Sequence, residues 1–221
     1  LLEQINKKYK LNTFSISGGV SMNIKMNMTL SKMKFVKNIY VPPAGTDESL
    51  AIGACYYLNK KYKNKPLKNI YLGQEMSNVK ITKENLRQLF KKKKNISVQE
   101  NINHKKIVRL INKGEIIAVA RGREEFGARA LGNRSILASP TNAEMRDKLN
   151  YTIKKREGFR PFAPSVLDQD VLKYFHANEA VPYMNQVVKV KETAKNLFPS
   201  ATHIDNTARI QSVTKQRNKK Y

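Results

Sequence analysis

Cysteine occurs once in the 221 residues, as Cys55. A single thiol excludes a disulfide framework and any CxxC metal or redox motif. Within Leu-Ala-Ile-Gly-Ala-Cys, Cys55 reads as a small core residue. Tryptophan is absent and aromatic residues make up 8% of the chain. They are not interleaved with the lysines, as a single-strand nucleic-acid platform requires. No apolar run approaches the ~20 residues of a membrane span, and no signal or transit sequence is visible at the start. The expected location is cytoplasmic, with no membrane partner. Acidic residues are scarce, 17 against 42 lysines and arginines, which leaves a net charge of +25. Such a field favours nucleic acid, anionic membrane or phosphorylated small molecules. Much of it, however, is lysine beside asparagine and isoleucine, as in residues 91–96, and reads as solvated surface. The chain opens without methionine and closes just after a strand-like stretch, so a fragment is expected.

The arginines are placed differently from the lysines. After an apolar run at residues 116–120, read as a buried strand, come Arg121, Arg123, Arg129 and Arg134, threaded between Gly122, Gly127 and Gly132. Arginine offers a planar fork that binds carboxylate or phosphate oxygens in pairs. Glycine lets the backbone approach an anion and present its N–H groups. Together they suggest a polyanion pocket. The plainer alternative is a set of salt bridges to Glu124, Glu125, Glu144 and Asp147.

Around this stretch the chain alternates strands and helices, which gives an α/β class. A first helix over residues 1–10 leads to a strand near Thr13 and a Gly18-Gly19 turn with Asn23 close behind, able to cradle a phosphate or simply to turn. A second strand ends at prolines 42 and 43, and a helix follows from residue 50, with Thr46 or Asp47 as its cap. Residues 59–72 are lysine-rich and aperiodic, and a domain boundary is placed near 73. Thr82 and Asn103 cap the next two helices, the first reaching about Lys92 and the second ending at Gly114. Met145, Leu149 and Ile153 would share the core face of a helix over residues 143–153. Lys154 and Lys155 suit its C-terminal dipole, whereas Arg160, between Phe159 and Pro161, has no such role. His104 and His176 read as structural; His203, beside Asp205 and Arg209, is the better site histidine.

Three segments are specific enough to carry a resemblance. Gly-Arg-Glu-Glu-Phe-Gly-Ala-Arg-Ala-Leu-Gly-Asn-Arg-Ser-Ile-Leu from Gly122, Lys-Lys-Arg-Glu-Gly-Phe-Arg-Pro-Phe-Ala-Pro from Lys154, and Thr-His-Ile-Asp-Asn-Thr-Ala-Arg-Ile-Gln from Thr202 strongly resemble the O-carbamoyltransferase family. The resemblance extends over nearly the whole chain. It implies residues 1–73 as the tail of an actin-like ATPase-superfamily domain that transfers the carbamoyl group. Residues 74–221 would be a mixed α/β, threonylcarbamoyl-synthase-like domain that makes carbamoyl adenylate from carbamoyl phosphate and ATP. The implied catalytic residues are Arg129, Arg134 and Lys154. Gly18, Gly19, Asn23, Asn133, Ser135, Arg156, Arg160, His203 and Arg209 would bind the nucleotide and phosphates. Asp47 would bind a metal rather than cap a helix, with Fe2+ or another divalent ion in the transfer domain, although the family's partner histidines lie upstream of this chain. Ala128 and Gly158 stand where the family usually has proline, a change expected to loosen both loops.

The implied partners are carbamoyl phosphate, ATP with Mg2+, and a hydroxyl-bearing small-molecule acceptor, with a homodimer allowed and nucleic acid disfavoured. Fixed cations would cancel the repulsion between two anionic reactants, and no nucleophile–base arrangement is evident, which fits catalysis by positioning. A basic nucleic-acid-binding module and a tRNA threonylcarbamoyl-adenylate enzyme are the alternatives. The Arg-Ala-Leu-Gly-Asn-Arg-Ser run argues against the latter.

Overall fold

The structure is a computed structural model that describes residues 1–59, 65, 67, 69–76, 82–90, 97, 99, 102–177, 180–219 and 221. The lysine run at 91–96 and most of the lysine-rich stretch before Asn69 lie outside these residues.

The chain is mixed α/β, and its strands form small separate sheets rather than one large one. Helix α1 (Leu2–Tyr9) leads into β1 (Thr13–Ser15), which pairs in parallel with β2 (Asn38–Tyr40). Between them a short 3-10 turn and α2 (Ile24–Ser31) make the crossover. Asn23 caps α2, its side chain accepting from the Met26 N–H at 3.0 Å. Helix α3 (Ser49–Leu58) follows. Neither Thr46 nor Asp47 caps it by side chain, and it buries none of its residues. Cys55 is therefore exposed rather than a core residue, because Ile52 and Tyr56 are the half-buried apolar residues of α3 and Cys55 does not share their side.

Helix α4 (Lys83–Leu89) starts at Thr82, which forms a capping box with Asn85, and α5 (His104–Asn112) starts at Asn103. Strand β3 (Ile117–Ala120) then pairs antiparallel with β4 (Arg134–Leu137). Residues of β3 alternate between half-buried and exposed. The expectation of a fully buried strand fails because β3 is one arm of a hairpin, not the centre of a layered sheet.

Helix α6 (Met145–Lys148) passes directly into a π-helical turn, Leu149–Lys154. The wider turn rotates the following residues, so Met145 and Leu149 are buried while Ile153, expected on the same face, is 47% exposed. Strand β5 (Ser165–Leu167) pairs in parallel with β9 (Gln211–Val213). After α7 (Val171–Tyr174), β6 (Phe175–His176), β7 (Val188–Val190) and β8 (Thr207–Ala208) form an antiparallel sheet in that order. The strand-like stretch near the end of the chain, residues 208–213, is thus split between two sheets, with Arg209 and Ile210 at the break.

The main core belongs to this last part. Val171, Phe175, Val181, Val188, Val190, Ala194, Ala208 and Ile210 pack together, with Phe175 and Phe198 stacked at 5.7 Å between centroids. Buried polar groups of β9 are satisfied: Ser212 accepts from the Val181 N–H at 2.9 Å, and Gln211 donates to the Leu131 carbonyl at 3.0 Å.

Asn27 ties the two ends of the chain together. Fully buried, it donates to the carbonyls of Ser21 (2.7 Å) and Asn185 (2.8 Å), while Asn185 donates to the Val41 carbonyl at 2.7 Å. Asn27→Ala strands one buried and one half-buried carbonyl. It should lower unfolding free energy by about 1–3 kcal/mol, measured as a fall in urea midpoint. An unchanged midpoint would show that the two parts do not depend on this contact.

Candidate functional site

The segment between β3 and β4 is folded around its own carboxylate. Glu125 Oε1 accepts from the backbone N–H groups of Leu131 (2.7 Å), Asn133 (2.7 Å) and Arg134 (3.2 Å). Gly132 N–H donates to Ser135 Oγ at 2.9 Å. The loop does form a concave nest of backbone donors, but Glu125 fills it. The two glycines that matter most are Gly127 and Gly132, at φ 109° and 108°. A Cβ on Gly127 would meet the Ala44 side chain at 3.0 Å, and one on Gly132 would strike the Tyr221 ring at 2.7 Å. Glycine here allows close packing against the N-terminal part and against Tyr221.

Arg134 and Asn133 serve the same loop. The Arg134 guanidinium donates to the carbonyls of Arg121 (2.8 Å) and Asn133 (2.9 Å) and lies 3.4 Å from Glu124 Oε1. Asn133 is buried, donates to the Arg123 carbonyl at 2.7 Å and accepts from Asn218 at 3.0 Å. Residues 70–76 pair with residues 122–126 through Gly73, Met76 and Phe126, across the boundary expected near residue 73. Arg134, Asn133 and Ser135 thus shape the loop.

Arg129, Arg156 and Arg209 behave differently. All three are half-buried, and burial lowers the pKa of each. Arg209 is pushed down to about 10, first by burial and then by the charges of Arg129 and Arg156. It remains a full cation at neutral pH. Its Nε is buried without a hydrogen-bond partner among the described residues. Arg129 lines a narrow crevice with Ser21 and Met22 from the turn that precedes α2. Arg156 donates to Asn150 Oδ1 at 2.7 Å, and its guanidinium lies 4.8 Å from the Phe162 ring centroid. Asn150, fully buried, also donates to the carbonyls of Gly158 (3.1 Å) and Arg160 (2.9 Å). The loop that carries Gly158, expected to be loose, is therefore pinned from inside by Asn150.

His203 completes the cluster. Its Nδ1 lies 2.9 Å from Thr207 Oγ1, and its Nε2 is buried without a partner among the described residues. Burial lowers its pKa, Asp205 opposes this, and Arg209 and Lys25 add to it. Asp205 in turn pairs with Lys25 of α2, so this corner joins the two ends of the chain.

Other expected residues lie at the surface. Arg160 is exposed and paired with Glu157 at 2.8 Å, although its charge, after burial, lowers the pKa of Arg156 and the two line one open hollow; Lys154 is exposed at the end of the π-helical turn. Gly18 and Gly19 form an exposed turn in which the Gly18 N–H is already given to the Gly45 carbonyl at 2.6 Å. Asp47 is exposed, and no three His, Cys, Asp or Glu side chains converge among the described residues. One carboxylate offers too few oxygens for a resident divalent ion, so the described residues do not by themselves fit a metal centre. Two cavities, of about 750 and 610 Å3, hold none of the expected site residues, whereas an open hollow of about 550 Å3 is lined by Arg156 and Arg160. The first of these lies between α2–β2 and β6–β7.

A half-buried set of arginines thus lies beside an imidazole whose Nε2 has no hydrogen-bond partner among the described residues, on a mixed α/β fold. The family models for the carbamoyltransferase N-terminus and C-terminus match residues 1–56 and 108–221. The chain belongs to the carbamoyltransferase family. Nodulation protein NolNO of Sinorhizobium fredii is 36% identical over 215 residues, covering 94% of this chain and 31% of that protein. Nodulation protein NolO of Bradyrhizobium diazoefficiens is 36% identical over 213 residues, 93% of this chain and 38% of that protein. A 3'-hydroxymethylcephem-O-carbamoyltransferase of Amycolatopsis lactamdurans is 31% identical over 205 residues, 92% of this chain and 37% of that protein. The chain thus spans between 31% and 38% of the length of these relatives. Among the described residues, no helix is long and apolar enough to cross a membrane.

Proposed function

We propose that this chain is part of an ATP-dependent O-carbamoyltransferase. In this reading residues 74–221 form carbamoyl adenylate from carbamoyl phosphate and ATP. Residues 1–73 are the tail of an actin-like domain that passes the carbamoyl group to a hydroxyl of a sugar or secondary metabolite. The observation that carries it is Arg209, a half-buried cation that makes no hydrogen bond among the described residues and whose charged neighbours, Arg129 and Arg156, are also cations.

Such a cluster is costly without an anion and strongly attractive to one. Joining a carbamoyl group to a nucleotide phosphate asks for this arrangement: charge spreads over phosphate oxygens, and fixed guanidinium groups stabilise it without reorganising. ATP would bring Mg2+ with it, which would neutralise charge on the nucleotide phosphates. This chain's own part is to hold the anionic oxygens on Arg129, Arg156 and Arg209 and to exclude water around them. The similarity to an enzyme named for O-carbamoylation of a hydroxymethyl cephem supports a hydroxyl acceptor.

The test is incubation of the chain with ATP, Mg2+ and carbamoyl phosphate, with mass spectrometry for carbamoyl adenylate. The expected result is the adduct, with Arg129→Ala lowering its rate of formation by about a hundredfold or more. A folded chain that leaves ATP untouched, or an Arg129→Ala variant as active as the parent, would sink the reading.

A further inference from the structure

The hydrogen-bond chain behind His203 has a direction that one end dictates. Asp205 gives one carboxylate oxygen to Lys25 and the other to Thr207, whose hydroxyl donates at 2.7 Å and whose backbone N–H donates at 3.2 Å. The Lys25 contact, with help from Thr207, holds the Asp205 carboxyl down to about 2. At neutral pH Asp205 is therefore a carboxylate and can only accept. The Thr207 hydroxyl has one proton, and Asp205 takes it. Towards His203 Nδ1, 2.9 Å away, Thr207 Oγ1 can then only accept, so the imidazole proton sits on Nδ1. The tautomer is assigned from the network.

A neutral imidazole with its proton on Nδ1 carries a bare lone pair on Nε2. The charged groups around the ring are Asp205, Arg209 and Lys25. Burial acts with Arg209 and Lys25 to keep it neutral, against Asp205 alone. Nε2 is buried with no partner among the described residues, so its natural complement is a donor. The ionised oxygens of a phosphate ester cannot be that complement, because lone pair would face lone pair. Among the groups of a carbamoyl phosphate, only the amide NH2 donates.

We propose that His203 Nε2 is the specificity contact for the carbamoyl amide, accepting an N–H while the neighbouring arginines take the anionic oxygens. This rests on the arginine cluster being the carbamoyl phosphate site. An acetyl group has the same shape but places a methyl where the NH2 would be. A site built to bond an N–H rejects the analogue that lacks it, because its own acceptor is left unpaired.

Calorimetric titrations of the whole chain with carbamoyl phosphate, acetyl phosphate and inorganic phosphate at about pH 7.5 test this, a pH at which an ordinary imidazole is already neutral. Carbamoyl phosphate should bind about 10- to 100-fold more tightly than acetyl phosphate. His203→Phe should bring the two to similar affinities, with inorganic phosphate still bound through the arginines. Thr207→Val, which frees the tautomer without touching the ring, should narrow the gap. Lowering the pH should narrow it only below the ordinary imidazole range, because burial, Arg209 and Lys25 lower the pKa of this ring; there a proton on Nε2 turns the acceptor into a donor. In the parent protein, nitrogen-15 correlation spectra should show His203 protonated on Nδ1. If all three phosphates bind but the parent does not favour carbamoyl phosphate, the inference fails and the anion pocket stands. It fails in the same way if His203→Phe keeps the preference or if Nε2 carries the proton. If no phosphate binds, the pocket and the inference fall together.

Discussion

Arg209→Met should give a protein that is more stable to heat or urea and that binds carbamoyl phosphate at least about a hundredfold more weakly. The two effects have one cause. Arg209 sits between the buried residues Ala208 and Ile210, and it is a cation with no hydrogen bond among the described residues. Its surroundings disfavour its charge: burial first, then Arg129 and Arg156. Folding has to bring this charge out of water and near two others, and methionine removes that cost while filling the space of the aliphatic stem. A gain of about 1 kcal/mol is the usual scale when a site tuned for binding is relaxed. Binding moves the other way, because an incoming phosphate loses the cation least satisfied by the protein itself. Urea midpoints and phosphate titrations on the same preparations check both halves. If Arg209→Met is both less stable and unimpaired in phosphate binding, the guanidinium is a structural strut and the cluster has been misread.

Glu125→Ala should be among the most damaging single changes in the chain, costing about 3 kcal/mol or more. Its Oε1 accepts from three backbone N–H groups, at 2.7, 2.7 and 3.2 Å. Alanine leaves all three without their charge-assisted acceptor. Glu125→Gln keeps an oxygen in place and should cost only about 1 kcal/mol. Because the emptied nest is itself an anion site, added sulfate should recover more stability in Glu125→Ala than in the parent. Thermal melts with and without sulfate give the answer. Equal sulfate responses, or an alanine variant as stable as the glutamine one, would mean that the loop is held from elsewhere, through Arg134 and the pairing with residues 70–76.

Element types are legible along the chain where they depend on local rules. Thr82 and Asn103 cap α4 and α5 because a side-chain oxygen there meets the first orphan N–H groups. Asn23, expected to bind nucleotide, does the same for α2. The arginine–glycine loop stands out from the lysine background because arginine and glycine do something that lysine does not. Which arginine faces a ligand is another matter. Arg129 and Arg134 occupy similar places in the motif, yet Arg134 spends its guanidinium on carbonyls of its own loop while Arg129 meets the N-terminal part. Glu125 reads as no more than a salt-bridge partner, since nothing in its neighbours announces three inward-pointing N–H groups.

Composition, caps, glycine positions and the three motif segments came from the sequence by itself, and with them the mixed α/β class and the carbamoyltransferase family. These depend on interactions within a few residues or on residue identities alone. Tertiary structure decided the rest. It exposed Cys55 by turning Ile52 and Tyr56 of α3 inward in its place, turned Ile153 outward through a π-helical turn, and split the last strand at Arg209. It also brought Lys25 to Asp205, 180 positions along the chain. The protonation state of His203 follows from that contact. A charge network across such a separation is set by how two distant segments pack, and no local pattern encodes it.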